Sequence, residues 1–273
     1  MNQGNYALAI LEFQDALDLD PNAPTIHVSI ADAYRRLGKN KRAENHLQVA
    51  IELNPDEVEA YEILGKIYIL QKRLPQAEAA FRELTRLDPD NIDHLYALAD
   101  LARLLKQWDI AIDYYLEAYR VNSMAVKGLE QALQISLATN KFERAEEICD
   151  LLLEEEPENE KYLETLRDLA LFDNDFEKAL KTIQILETTR GSTIELLIQK
   201  SALYEELDDS ENALKEILKA FGRDSLNSDL LNRLVNLLLN DKQIDRAENY
   251  NCLLYTSPSP RDQRGSGVAG WWW

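Results

Sequence analysis

Three histidines (His27, His46 and His94) and two cysteines (Cys149 and Cys252) are the side chains of this 273-residue chain best suited to hold a metal or attack a substrate. A metal site built on a helix needs its ligands at short, characteristic spacings. The histidines stand apart along the chain, and none has a second ligand at such a spacing. No Gly-rich loop is present to cradle a phosphate, and no Ser, His and Asp share a plausible scaffold. Carboxylates are plentiful, yet Glu154, Glu155 and Glu156 read as the solvated end of a helix rather than as an acid and base pair. The residues therefore indicate no catalytic centre, no metal site and no cofactor. The chain is read as a non-enzyme.

What the sequence does carry is a period. Ala9, Ala43, Ala77, Ala111, Ala145, Ala179, Ala213 and Ala247 follow one another at intervals of 34 residues without insertion or deletion. A single globular core has no reason for that regularity, whereas a stack of identical units must present the same face each time. With the alanines at position 20 of a 34-residue frame, position 24 holds Phe13, Leu47, Phe81, Tyr115, Cys149, Ile183 and Ile217. Position 27 holds Ala16, Ala50, Leu84, Ala118, Leu152, Leu186 and Ala220. Positions 20, 24 and 27 form one stripe of a helix. A second stripe at positions 4, 7, 8 and 11, such as Tyr61, Leu64, Gly65 and Tyr68, marks an earlier helix. Each unit is thus an antiparallel pair, A and B, brought together by small residues such as Gly65 and Ala77. His27 occupies position 4 and Cys149 position 24, so both read as core residues.

An aromatic residue, then Leu-Gly, Tyr, Ala, Phe and Pro at these spacings, here Tyr61, Leu64, Gly65, Tyr68, Ala77, Phe81 and Pro89, resembles the tetratricopeptide repeat (TPR) family. The resemblance covers residues 1–251. It implies an all-α fold, a right-handed superhelical solenoid of antiparallel helix pairs. Pro21, Pro55, Pro89 and Pro157 at position 32 stop helix B. Amide or acidic residues just after them are placed to cap the next helix A. Where the proline is lost, Arg190-Gly191 supplies a stop, and Ser192 with Glu195 is expected to form a capping box. Arg167, at the normally small position 8, must snorkel or find an acid.

The expected organisation is a solenoid over 1–251 and a tail over 252–273. Residues 1–23 read as the orphan helix B of a truncated repeat. Full repeats follow at 24–57, 58–91, 92–125, 126–159, 160–193 and 194–227, with a truncated one at 228–251. The string from Cys252 to Asp262 resembles a translated sequencing-library adapter, and Trp271, Trp272 and Trp273 resemble a G-rich read end. Residues 252–273 are accordingly expected to be a non-native, disordered tail, pointing to a shotgun or environmental DNA source and a bacterial origin. The compartment stays open between cytoplasm and periplasm. End-to-end self-association through the truncated faces would be an artefact.

Function in such an array is implied to reside on the concave face lined by helix A at positions 2, 5, 9 and 12. The candidate peptide-binding groove comprises Asp32, Arg35, Glu59, Glu62, Lys66, Asp93, Tyr96, Asp100, Arg103, Glu130 and Gln134. Acids outnumber bases there, so an extended segment bearing Lys or Arg is the expected ligand. The family's clamp for acidic chaperone tails needs Lys and Asn at positions 5 and 9. Val28/Asp32, Glu62/Lys66, Tyr96/Asp100 and Glu130/Gln134 do not supply it. A net charge of −19 with no basic stripe argues against nucleic acid and anionic membrane surfaces. No apolar run approaches the roughly 20 residues of a membrane-inserting helix. Two functions follow: a non-catalytic protein–protein interaction scaffold, or the substrate-recruiting arm of a larger glycosyltransferase, kinase or protease.

Overall fold

Small residues at one fixed place in every repeat let two helices meet closely, and the architecture grows from that contact. The computed structural model describes residues 3–256, with side chains from 5 to 252. These residues form fifteen α-helices and no strand. They are α1 (Gln3–Leu19), α2 (Pro24–Arg36), α3 (Asn40–Leu53), α4 (Val58–Leu70), α5 (Leu74–Leu87), α6 (Ile92–Leu104), α7 (Trp108–Val121) and α8 (Val126–Ala138). They continue with α9 (Phe142–Glu155), α10 (Glu160–Phe172), α11 (Phe176–Arg190), α12 (Ile194–Glu206), α13 (Ser210–Arg223), α14 (Ser228–Asn240) and α15 (Ile244–Thr256). Even-numbered helices are the A members of the pairs and odd-numbered ones the B members. The chain is an all-α repeat solenoid. No described helix is long and apolar enough to cross a membrane.

Two compact units divide inside α9, between Ile148 and Cys149. In unit 1, Ala43, Ala77 and Ala111 are fully buried with Leu47, Ala50 and Leu84. In unit 2, Ala179 and Ala213 are fully buried, packed with Ile183, Leu186 and Ile217. Ala9 in α1 is only half-buried. Each fully buried leucine or isoleucine contributes about 2 kcal/mol by leaving water, and alanine contributes by letting its neighbour approach. Cys149 is buried in its column, and Cys252 is exposed. Helix α15 runs through Thr256, past the break expected after Asn251. The rest of the expected tail, 257–273, lies outside the described residues.

The A-to-B turn is the most uniform piece of backbone. Gly38, Lys72, Lys106, Asn140, Asn174, Asp208 and Lys242, all at position 15, take positive φ between 56° and 73°. The following amide donates back five residues, Lys39 to Tyr34 at 2.9 Å and Arg73 to Tyr68 at 2.8 Å, and so on through Gln243 to Leu238. This closes the otherwise orphaned carbonyls of helix A. At the other junction, position 34 provides the cap. Asn91, Asn159 and Asn227 each accept an amide hydrogen bond through the side chain. The expected box of Ser192 and Glu195 is corrected here. Thr193, at position 34, caps α12 by accepting from the Leu196 amide at 3.2 Å, and Gly191 ends α11 at φ 85°.

Candidate functional site

All eleven candidate groove residues fall in unit 1, on α2, α4, α6 and α8. Their charges are less available than composition suggests. Burial alone would raise the carboxyl of Asp32, but hydrogen bonds from Arg36 and Arg35 at 2.6 Å hold it below its ordinary range. Lys66 donates to Glu62 at 2.9 Å, one turn earlier on α4. Asp100 accepts from Arg103 at 3.1 Å and from the Tyr115 hydroxyl at 2.9 Å. Burial, then that bond to Asp100, pushes the Tyr115 hydroxyl up to about 12. Glu59 and Asp93 are exposed and make no ion pair among the described residues, and they are the acids left available to a ligand.

Four of the candidates converge around two neighbouring cavities. The first, of about 320 Å³, is lined by Tyr96, Asp100, Tyr115, Lys127, Gly128 and Gln131. The second, of about 360 Å³, includes Arg103, Trp108, Gln131 and Gln134. Gln131 borders both. The shape of the first depends on an absent side chain, because a Cβ on Gly128 would sit 2.8 Å from the Tyr96 ring. Tyr96 spans from α6 to the start of α8, where its hydroxyl donates to the Ala125 carbonyl at 3.2 Å. Its ring lies 6.0 Å from that of Tyr115. Lys127 stands at position 2, one of the groove-facing positions, whereas Tyr115, Gly128, Gln131 and Trp108 escape the sequence reading of the site. Tyr115 and Trp108 belong to helix B, and the frame assigned helix B to the core.

The structure also joins residues that the sequence kept apart. His27 of α2 and His46 of α3 meet with their Nδ1 atoms 3.1 Å apart, one ring donating to the other. His46 stacks on Tyr34 with centroids 5.7 Å apart. Burial, then the neighbouring His27, lowers the His46 pKa. No third ligand joins them: no group of three or more His, Cys, Asp or Glu able to hold a metal occurs among the described residues. In unit 2, Arg167 finds its acid in Asp168 at 2.8 Å and reaches Gln199 at 3.5 Å. Lys200 sits at position 7, where other repeats place Ile30, Leu64 or Leu98. Its side chain is 8% exposed, with Glu187 at 2.8 Å and Glu216 at 3.5 Å. Lys219 completes the cluster at 2.7 Å from Glu216. Neither the histidine contact nor this buried network opens onto either cavity.

The described residues form a helical repeat solenoid with side-chain cavities along its A helices. The family model described as tetratricopeptide repeat matches residues 28–92, and one described as TPR repeat matches residues 1–38. Residues 1–92 thus carry tetratricopeptide repeats, and the same helix pair recurs through the described residues. The chain is 26% identical over 194 residues to the BBSome complex member BBS4 homolog of Drosophila melanogaster, covering 67% of this chain and 40% of that protein. It is 35% identical over 77 residues to the Protein O-mannosyl-transferase F38B6.6 of Caenorhabditis elegans, covering 28% of this chain and 11% of that protein. The solved structure of Naa15/Naa10 bound to HypK-THB matches with a TM-score of 0.57 at 14% identity, covering 95% of this chain and 43% of that one, a likeness of fold. The chain spans two fifths or less of the length of these two curated relatives.

Proposed function

We propose that this chain is a non-catalytic scaffold that holds an extended segment of a partner protein along α4, α6 and α8 of unit 1. The observation that carries the reading is the pair of adjoining cavities around Tyr96, Asp100, Gln131 and Gln134. The first, of about 320 Å³, has room for a large side chain and two tyrosine rings among its walls. The amides of Gln131 and Gln134 can pair with the donors and acceptors of an extended backbone. Glu59 and Asp93, unpaired and on the preceding part of the same surface, favour Lys or Arg in the ligand.

The test is binding of a fluorescein-labelled, lysine-rich peptide, followed by anisotropy. Reversal of three acids together, Glu59→Lys, Glu62→Lys and Asp93→Lys, should weaken it at least about tenfold, roughly 1.4 kcal/mol, with helicity unchanged. Unchanged affinity in that variant removes the acidic-groove reading. A second reading, the substrate-recruiting arm of a larger enzyme, is supported by the match to an O-mannosyl-transferase and by the small share of the relatives that the chain spans. A long read of the parent locus tests it. A catalytic domain in frame with these repeats supports the arm, and repeats followed by a stop remove it.

A further inference from the structure

The uniform A-to-B turn has a second consequence. Because position 15 has the same left-handed geometry in each repeat, residues 13–19 of successive repeats form a row along one edge of a unit. Equivalent residues there lie roughly 10 Å apart, the spacing of packed helices. The edge meets the second cavity of the proposed groove at Trp108, at position 17, but its lysines line neither cavity. In unit 1 it carries the exposed side chains of Lys39, Lys41, Lys72 and Lys106. None of these four makes an ion pair among the described residues. Two of the arginines beside them do: Arg36 holds Asp32, and Arg73 grips Glu44 through two nitrogens at 2.8 and 3.0 Å, while Arg42 lies over the Tyr34 ring. Between the lysines stand Leu70 and Leu104, 68% and 59% exposed. In unit 2 two of the corresponding turns carry Asp173, Glu206 and Asp208 instead, and the third places Lys242 beside Asp241. A basic row is thus required neither by the turn nor by a chain whose net charge is −19.

We propose that this lysine-and-leucine edge of unit 1 docks an acidic segment of a partner protein, one that carries apolar side chains among its carboxylates. Four point charges spread over three repeats suit separate carboxylates, and the two leucines give an apolar side chain somewhere to rest. Nucleic acid fits less well. Of the arginines beside these lysines, Arg36 and Arg73 are already held by carboxylates, and a continuous polyphosphate would meet the acidic remainder of the chain.

The experiment uses the full chain and a labelled peptide of alternating Glu and Leu, with oligo-dT and phosphatidylserine vesicles as the other probes. The variant combines Lys39→Asp, Lys72→Asp and Lys106→Asp. Asp175 and Asp208 already occupy those frame positions in unit 2, so the turn tolerates the change. The variant should bind the peptide at least about tenfold more weakly and lose most of its salt dependence. Leu70→Ser with Leu104→Ser should weaken it several-fold at unchanged salt dependence. The groove reversal of Glu59, Glu62 and Asp93 should leave peptide binding intact, which separates this edge from the proposed groove. Equal peptide affinity in the lysine variant would overturn the proposal. So would tighter binding of oligo-dT or vesicles than of the peptide, or self-association in sedimentation that the lysine variant abolishes, since another occupant would then hold the edge.

Discussion

Units 1 and 2 solve one packing problem with opposite chemistry. In unit 1, α4 and α5 approach through Gly65, where a Cβ would stand 2.7 Å from the ring of Phe81. The closeness comes from a missing side chain, and Phe81 fills the space at 7% exposure. In unit 2, Ser201 takes the place of Gly65, and Lys200, one residue earlier on α12, is buried at the same level, where α11 and α13 answer with Glu187 and Glu216. Burial opposes the charge on Lys200, but the two carboxylates outweigh it and raise its pKa. The difference teaches that the frame demands a filled, compensated contact at this level of the helix pair. It does not demand an apolar one.

The largest effect should come from breaking the charged solution. Lys200→Leu, which restores the residue type of the other repeats, leaves Glu216 buried with Lys219 alone and should cost about 3 kcal/mol. Adding Glu216→Ala should recover most of that loss, as read from urea unfolding. If the single change proves neutral, the network is not a compensated contact. Next comes the apolar solution. Gly65→Ala gains helix propensity but displaces Phe81, and a net loss of about 1 kcal/mol is expected. Gly65→Ala with Phe81→Leu should return to near the wild-type midpoint, because the smaller ring partner makes room.

A third prediction uses pH to separate the units, since all three histidines lie in unit 1. His46 has a folded pKa below its ordinary value, so the unfolded chain binds the proton first. Stability from this group is present above about pH 6.5 and declines as pH falls below it. Hydrogen exchange at pH 7.5 and 5.5 should show α2 and α3 losing protection while α12 and α13 do not. His46→Ala should remove the difference. The smallest effect lies in the turns. Lys72→Gly should stabilise by up to about 1 kcal/mol, because lysine holds φ 57° at a cost that glycine avoids. Asn174→Gly should give only a few tenths, since asparagine already tolerates that region. Equal gains at both turns would mean that the strain is not set by residue type.

Much of the candidate site was legible in the linear pattern, but not its state of charge. Helix phase alone selects Tyr96, Asp100, Arg103 and Gln134, and those four line the two cavities. Phase could not show that Asp100 is shared by Arg103 and Tyr115, because Tyr115 comes from the next helix and its direction depends on how the pair packs. Helix phase marks Tyr96 as a ligand-facing residue. It is also a strut between repeats, through its bond to Ala125. That bond depends on Gly128 being bare, and a glycine in one helix carries no mark of the ring it will admit from another.

The sequence by itself determined the period, the helix pairs, the buried columns and the stop signals. These depend on contacts local in the chain or repeated identically, and a 34-residue recurrence exposes both. Only the tertiary structure decided which charges are spent. It paired His27 with His46 across nineteen residues, closed Lys200 between two acids from different helices, and left four lysines of unit 1 unpaired on one edge. Such pairings depend on side-chain direction and on distances of a few ångströms between helices, and neither is written in spacing along the chain.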